Sequence, residues 1–217
     1  MKRFSEFSKI NSTVNETIYK MPTFEDVRKM GKDIHLFDMT EEITLDIPYV
    51  NDGDEVYSEL LEIMDIVEYT TQHKLQPTRT VCDNILYEFV NYCTMNQLPI
   101  NKKKIQQIIC ETDIIGHQLK YKFNRPRPKQ LSEIRNIRFM NTNTTNNSPS
   151  YPCNHSLQSH TVALYLSNIF PAHSSELLNI AENIGQSRLV LGVQFPSGRD
   201  AGVSVGNQLY ERLKDKT

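Results

Sequence analysis

Lys120-Tyr121-Lys122-Phe123-Asn124-Arg125-Pro126-Arg127-Pro128 gathers four cations within eight residues, where a helical pattern ends. Two prolines stiffen that exit and fix where the arginines point. A rigid cationic fork suits a phosphate, because one guanidinium meets two oxygens at once. The same charges also fit a solvated helix end, where the dipole favours cations. Tyr151-Pro152-Cys153-Asn154-His155-Ser156 leads into a second helical pattern. A histidine beside the unpaired N–H groups of a helix start can contact an anion and donate a proton. A capping turn with a surface histidine is the plainer reading. His160 lies five residues on, and positions i and i+5 point to different faces, so the two histidines are no metal pair. The third stretch is Ser187-Arg188-Leu189-Val190-Leu191-Gly192-Val193-Gln194-Phe195-Pro196-Ser197-Gly198. A lone arginine in an apolar helix needs a partner. An anion shared with Lys120 and Arg127 meets that need, and so does an internal carboxylate.

Helices must position these residues. Residues 1–53 read as an irregular arm, punctuated by Pro22, Pro48 and Gly53. Within it, the alternation from Glu41 to Val50 predicts a strand or an extended arm on the body. After Asp54, Val56, Leu60, Ile63 and Val67 recur at helical spacing. Pro77 opens a second helix bearing Val81, Ile85, Phe89 and Tyr92. Asn101 caps a third, with Ile105, Ile108, Ile109, Ile115 and Leu119 on its apolar stripe. A polar loop follows, running to Ser150. The fourth helix spans about His155 to Ile169. Ser174 or Ser175 caps a fifth, which reaches Ser187-Arg188. Pro196 to Gly198 interrupt it, and a last helix runs to about Leu213. The expected fold is all-α: about six helices over residues 54–217, preceded by the arm.

The chain has 217 residues, 38% hydrophobic and 23% charged, enough to bury one core. A net charge of -2 argues against a general nucleic-acid binder. Mean hydropathy is -0.49 and no apolar run reaches bilayer length, so no transmembrane segment is expected. Cys82, Cys93, Cys110 and Cys153 have no metal-ligand spacing and read as reduced thiols. The N-terminus lacks the apolar core of a secretory signal, which predicts a soluble cytoplasmic or particle-associated protein. A polar arm of this length could wrap a second copy, so a homo-oligomer is an open expectation.

Taken together, the three stretches resemble a helical superfamily: the type 2 phosphatidate phosphatases, the class A bacterial acid phosphatases and the vanadium haloperoxidases. Its signature is Lys, six residues, Arg-Pro; then Pro-Ser-Gly-His; then Ser-Arg, five residues, His, three residues, Asp. Lys120 and Arg127-Pro128 match the first part. Pro152-Cys153-Asn154-His155 keeps the Pro and His of the second. Ser187-Arg188 opens the third. The resemblance covers roughly residues 55–215. It implies that Lys120, Arg127 and Arg188 neutralise a phosphate, that Cys153 and Asn154 border it, and that His155 is a general acid.

The departures change the chemistry. The nucleophilic His of the third part is Gln194 here, and its orienting Asp is Gly198. An amide nitrogen is delocalised and cannot attack phosphorus. It can still donate a hydrogen bond to a phosphate oxygen. Two coordinated differences fit shared loss better than a single designed change. The expectation is therefore a binder of phosphate or a phosphorylated small molecule, without phosphohistidine chemistry. The alternative is an active phosphomonoester hydrolase that uses another nucleophile or water, with His160, Asp200 or Cys153 as substitutes. A vanadate cofactor is disfavoured, because glutamine is a poor replacement for the ligating histidine.

Overall fold

A computed structural model describes residues 21–49, 53–73, 84–139 and 148–214. The helices are α1 (Phe24–Met30), α2 (Asp54–Gln72), α3 (Ile85–Met95), α4 (Lys102–Phe123), α5 (Pro128–Ile134), α6 (Asn154–Ile169), α7 (Ser174–Val190) and α8 (Pro196–Glu211). Among the described residues there is no strand, only an isolated bridge between Phe37 and Leu213. The all-α expectation holds.

α6 is the centre of the bundle. It is lined with small residues such as Ser156, Ser159 and Ala163, and most of its length is buried. Such a helix has no solvent face to pattern, so it shows little amphipathicity. Close packing depends on Gly202 of α8: a side chain there would come within 2.5 Å of the Cys153 carbonyl oxygen. The main core joins Phe89, Ile105, Ile108, Ile115, Leu157, Leu166, Ile184 and Val205, from α3, α4, α6, α7 and α8. Each such side chain is worth about 1.5–3 kcal/mol of burial. A smaller core of Val56, Leu60, Ile63, Val67, Leu131 and Phe195 seats α2 under the approach to α8.

The stretch expected to be an irregular arm differs in two ways. It holds a helix, α1, where Thr23 and Asp26 cap each other reciprocally. It also enters the core through Phe37 and Ile43. Glu111 of α4 fastens it, accepting from the His35 and Leu36 amides at 2.9 and 2.7 Å. Local periodicity could not reveal this, because the anchors lie far apart in sequence. The segment from Glu41 to Tyr49 has no regular secondary structure and lies on the body, with Thr44 bonded to Gln208. Pro77 and Val81 lie outside the described residues, and α3 starts at an Asn84 cap. Asn101 caps α4 as expected. α7 starts after His173 without a serine cap. Pro196 begins α8 rather than interrupting a helix, since proline suits a first turn.

Candidate anion site

Lys120 stands in the last turn of α4 and is 2% exposed. Its Nζ donates to the carbonyls of Pro149 (2.7 Å) and Ser150 (3.0 Å). Asn124 then turns the chain in the left-handed region, and Arg127 becomes the N-cap of α5. Arg127 is buried. Its Nε donates to Ser148 O at 2.7 Å and its Nη1 to Val193 O at 2.8 Å, while Nη2 reaches Ser148 Oγ and Pro149 O. The two cations therefore clamp the loop that delivers the second motif. Burial, with Arg127 nearby, pushes the Lys120 ammonium well below its usual range. Burial holds Arg127 down to about 10. Arg188 is buried in the last turn of α7.

Cys153 is the N-cap of α6, and its amide donates to Gly198 O at 2.9 Å, sewing the second motif to α8. The first-turn amides, Asn154 and His155 among them, have no acceptor within their own helix. His155 is half-buried. Burial, then Arg188, Lys120 and Arg127, pull its pKa down to about 3. Arg127 meets the Val193 carbonyl and the Cys153 amide meets the Gly198 carbonyl, so the three stretches adjoin one another.

Gln194 lies in the turn between α7 and α8 and is buried. Gly192, at φ +65°, makes that turn, and a Cβ there would come within 2.9 Å of Phe139 and 3.1 Å of Val67. The Gln194 Oε1 is buried without a hydrogen-bond partner. A side chain at Gly198 would begin 3.2 Å from that oxygen. Positions 194 and 198 therefore face each other across the turn into α8.

The two further residues considered as substitutes stand elsewhere. Asp200 is largely exposed and accepts from Arg199 Nε at 2.9 Å. His160 Nε2 meets Asn207 Oδ1 at 2.9 Å. At the rise of an α-helix, Asn207 lies about 13 Å along α8 from Gly198.

Two groups were not read from the sequence. Arg125 is buried, donates to Glu59 Oε2 and Ser197 Oγ at 2.7 Å each, and lies over the Phe195 ring. Glu59 Oε1 also accepts from the Ser197 amide, so this knot fixes the start of α8 to α2. A carboxylate on the apolar face of α2 was the available signal. The second group is on α4. Asp113 is paired with Lys29 of α1 and His117, and accepts from Asn154 Nδ2 at 3.0 Å. Burial opposes its charge, but the bonds from His117 and Lys29 hold its carboxyl far below the usual range. Among the described residues, no group of three or more His, Cys, Asp or Glu could hold a metal ion. No helix there is long and apolar enough to cross a membrane.

Comparison with known proteins agrees with the superfamily resemblance. Residues 106–207 match the PAP2 superfamily. Over 92 residues the chain is 35% identical to a non-specific acid phosphatase of Salmonella typhi and 34% identical to one of Salmonella typhimurium. Each match covers 42% of this chain but only 37% of the relative. A bacterial vanadium-dependent iodoperoxidase has a similar fold, with a TM-score of 0.62 at 15% identity, over 80% of this chain and 52% of that one.

Proposed function

We propose, on the premise that residues 106–207 carry the PAP2 superfamily pattern, that the chain binds phosphate or a phosphorylated small molecule at the start of α6 and forms no phosphohistidine. One observation carries this reading. The site keeps its positive field, yet Gln194 stands buried with an unpartnered carbonyl oxygen where the nucleophile belongs. Lys120, Arg127 and Arg188 supply the field, and the first turn of α6 supplies aligned N–H donors. Much of the hydrogen-bonding capacity of Lys120 and Arg127 goes to loop carbonyls, so they act on an anion mainly through charge. His155 is neutral in the free site. A bound phosphate dianion beside it would favour the imidazolium, so anion binding and proton uptake go together.

Removing a covalent nucleophile costs many orders of magnitude in rate, although electrostatics alone can leave a residue of catalysis. Vanadate chemistry does not fit these residues, because position 194 offers no ring nitrogen to ligate the metal. A net charge of -2 disfavours nucleic acid as the phosphate source. The test pairs calorimetric titration of inorganic phosphate with hydrolysis of an aryl phosphate, from about pH 4 to about pH 9, beside Arg188→Ala. Binding should fall about tenfold or more in the variant, since a charge-assisted contact is lost. Turnover should not exceed buffer. Turnover that vanishes in Arg188→Ala would instead establish a working hydrolase. Absence of phosphate binding would sink the reading.

A further inference from the structure

The second motif departs from its relatives at Asn154, and the structure surrounds that residue with specific partners. Asn154 is the first residue of α6 and is buried. Its Nδ2 donates to Asp113 Oδ1 at 3.0 Å and lies 3.1 Å from His117 Nδ1. Its Oδ1 is buried without a hydrogen-bond partner and occupies the space beside Gly116, where a Cβ would stand 2.4 Å away. The amide orientation follows from Asp113: turned over, it would set one oxygen against another. Asp113 is itself held by Lys29 and His117. α4 therefore offers a carboxylate acceptor and a gap one turn apart, and the Asn154 side chain fills both.

We propose that Asp113 is a positioning residue for the anion site, acting through Asn154, and that Gly116 is the residue that admits it. This rests on the phosphate-binding reading. An unbranched N-terminal turn needs no outside tether to form. It does need one to aim its amides at a fixed point between Lys120, Arg127 and Arg188, which stand on other elements. Asp113 lies two turns before Lys120 on α4, so one helix face sets both a cation and the amide donors of α6. The tether also explains how Asn replaces a smaller residue in this motif. The added side chain is taken up by α4 instead of intruding on the anion.

The test measures inorganic phosphate affinity of the full chain by calorimetry. The variants are Gly116→Ala, Asn154→Gly, their double, Asp113→Ala and Lys29→Met, each checked for folding by circular dichroism. Gly116→Ala should weaken binding about tenfold, because a small misplacement of donors is expensive. The double should bind like Asn154→Gly alone, since the clash disappears with the side chain. Asp113→Ala should lose about tenfold, while Lys29→Met, which removes one group holding Asp113 but leaves the bond from Asn154, should lose clearly less. The proposal is overturned if Gly116→Ala binds like wild type, if its loss persists without the Asn154 side chain, or if Lys29→Met matches Asp113→Ala. Should Gly116→Ala fail to fold, the Asp113 and Lys29 pair decides. A wild-type chain that binds no phosphate fails the functional reading itself, and is distinguished because that titration comes before any variant.

Discussion

Lys120 and Arg127 place their donors on the carbonyls of Ser148, Pro149, Ser150 and Val193, whereas Gln194, next in the chain, leaves a buried oxygen without a donor. The first region is over-determined. Each cation closes a loop as well as creating a field, so its loss would leave buried carbonyls unsatisfied. The second region has no such duty. A side chain at position 198 would begin 3.2 Å from the Gln194 Oε1, so the two positions share one space. The difference teaches that preserved cations in this site are not by themselves a sign of turnover.

The comparison breaks most visibly through Glu59, which ties Arg125, between the two cations in sequence, to the start of α8. Glu59→Ala strands Arg125 in the interior and should cost about 3–5 kcal/mol in urea unfolding. A loss below about 1 kcal/mol would mean that water relieves the guanidinium and the Arg125–Glu59 knot is less tight than described.

The opposite region sharpens the contrast by repair. Gln194→His with Gly198→Asp should raise aryl phosphate hydrolysis about a hundredfold over the unaltered chain, since a nucleophile and its orienting partner act as a unit. Gln194→His alone should gain little, and Gly198→Asp alone should crowd Gln194 Oε1. Equal activity in the single and double variants would refute the coupling.

A smaller effect tests the field between the two regions. The His155 pKa is about 3 in the fold, pulled down by burial and the three cations, against 6.5 for the free side chain. Between those values the unfolded chain binds a proton that the folded chain refuses. Stability from this group is complete above about pH 6.5 and declines as pH falls towards about 3. His155→Gln should flatten that acid limb, and saturating phosphate should do the same for the native chain. An unchanged slope would mean that the cations do not converge on this ring.

The smallest effects belong to residues outside the contrast. Asp200→Ala and His160→Ala should each alter phosphate affinity by less than about twofold, because an exposed ion pair and a remote hydrogen bond contribute little at the site. A tenfold loss in either would redraw its boundary.

Much of the fold was legible because helix period and capping are local. Asn101 announced α4, and the stripe from Ile105 to Leu119 announced its buried face. The start of α8 was misread because a proline that opens a helix and one that breaks a helix have the same local composition. The core role of Phe37 and Ile43 was illegible, since their partners are distant in the chain. Lys120, Arg127, His155 and Arg188 stand out as candidates only through the family resemblance, since type and spacing alone also fit a solvated helix end and a capping turn. Asp113 and Glu59 do not stand out, because each is one carboxylate in an ordinary helical pattern until its partner is known.

By itself the sequence determined an all-α chain, three motifs in a fixed order, and the absence of a histidine at position 194. Those properties depend on residue identity and on short-range periodicity. Only the tertiary structure decided that the cations are tied to the loop before α6, that Asp200 is drawn outward by Arg199, and that Asn154 lies across Gly116 onto Asp113. A side chain's chemistry is written in its type. Its partner is set by which distant segment the packing brings within about 3 Å, the reach of a hydrogen bond.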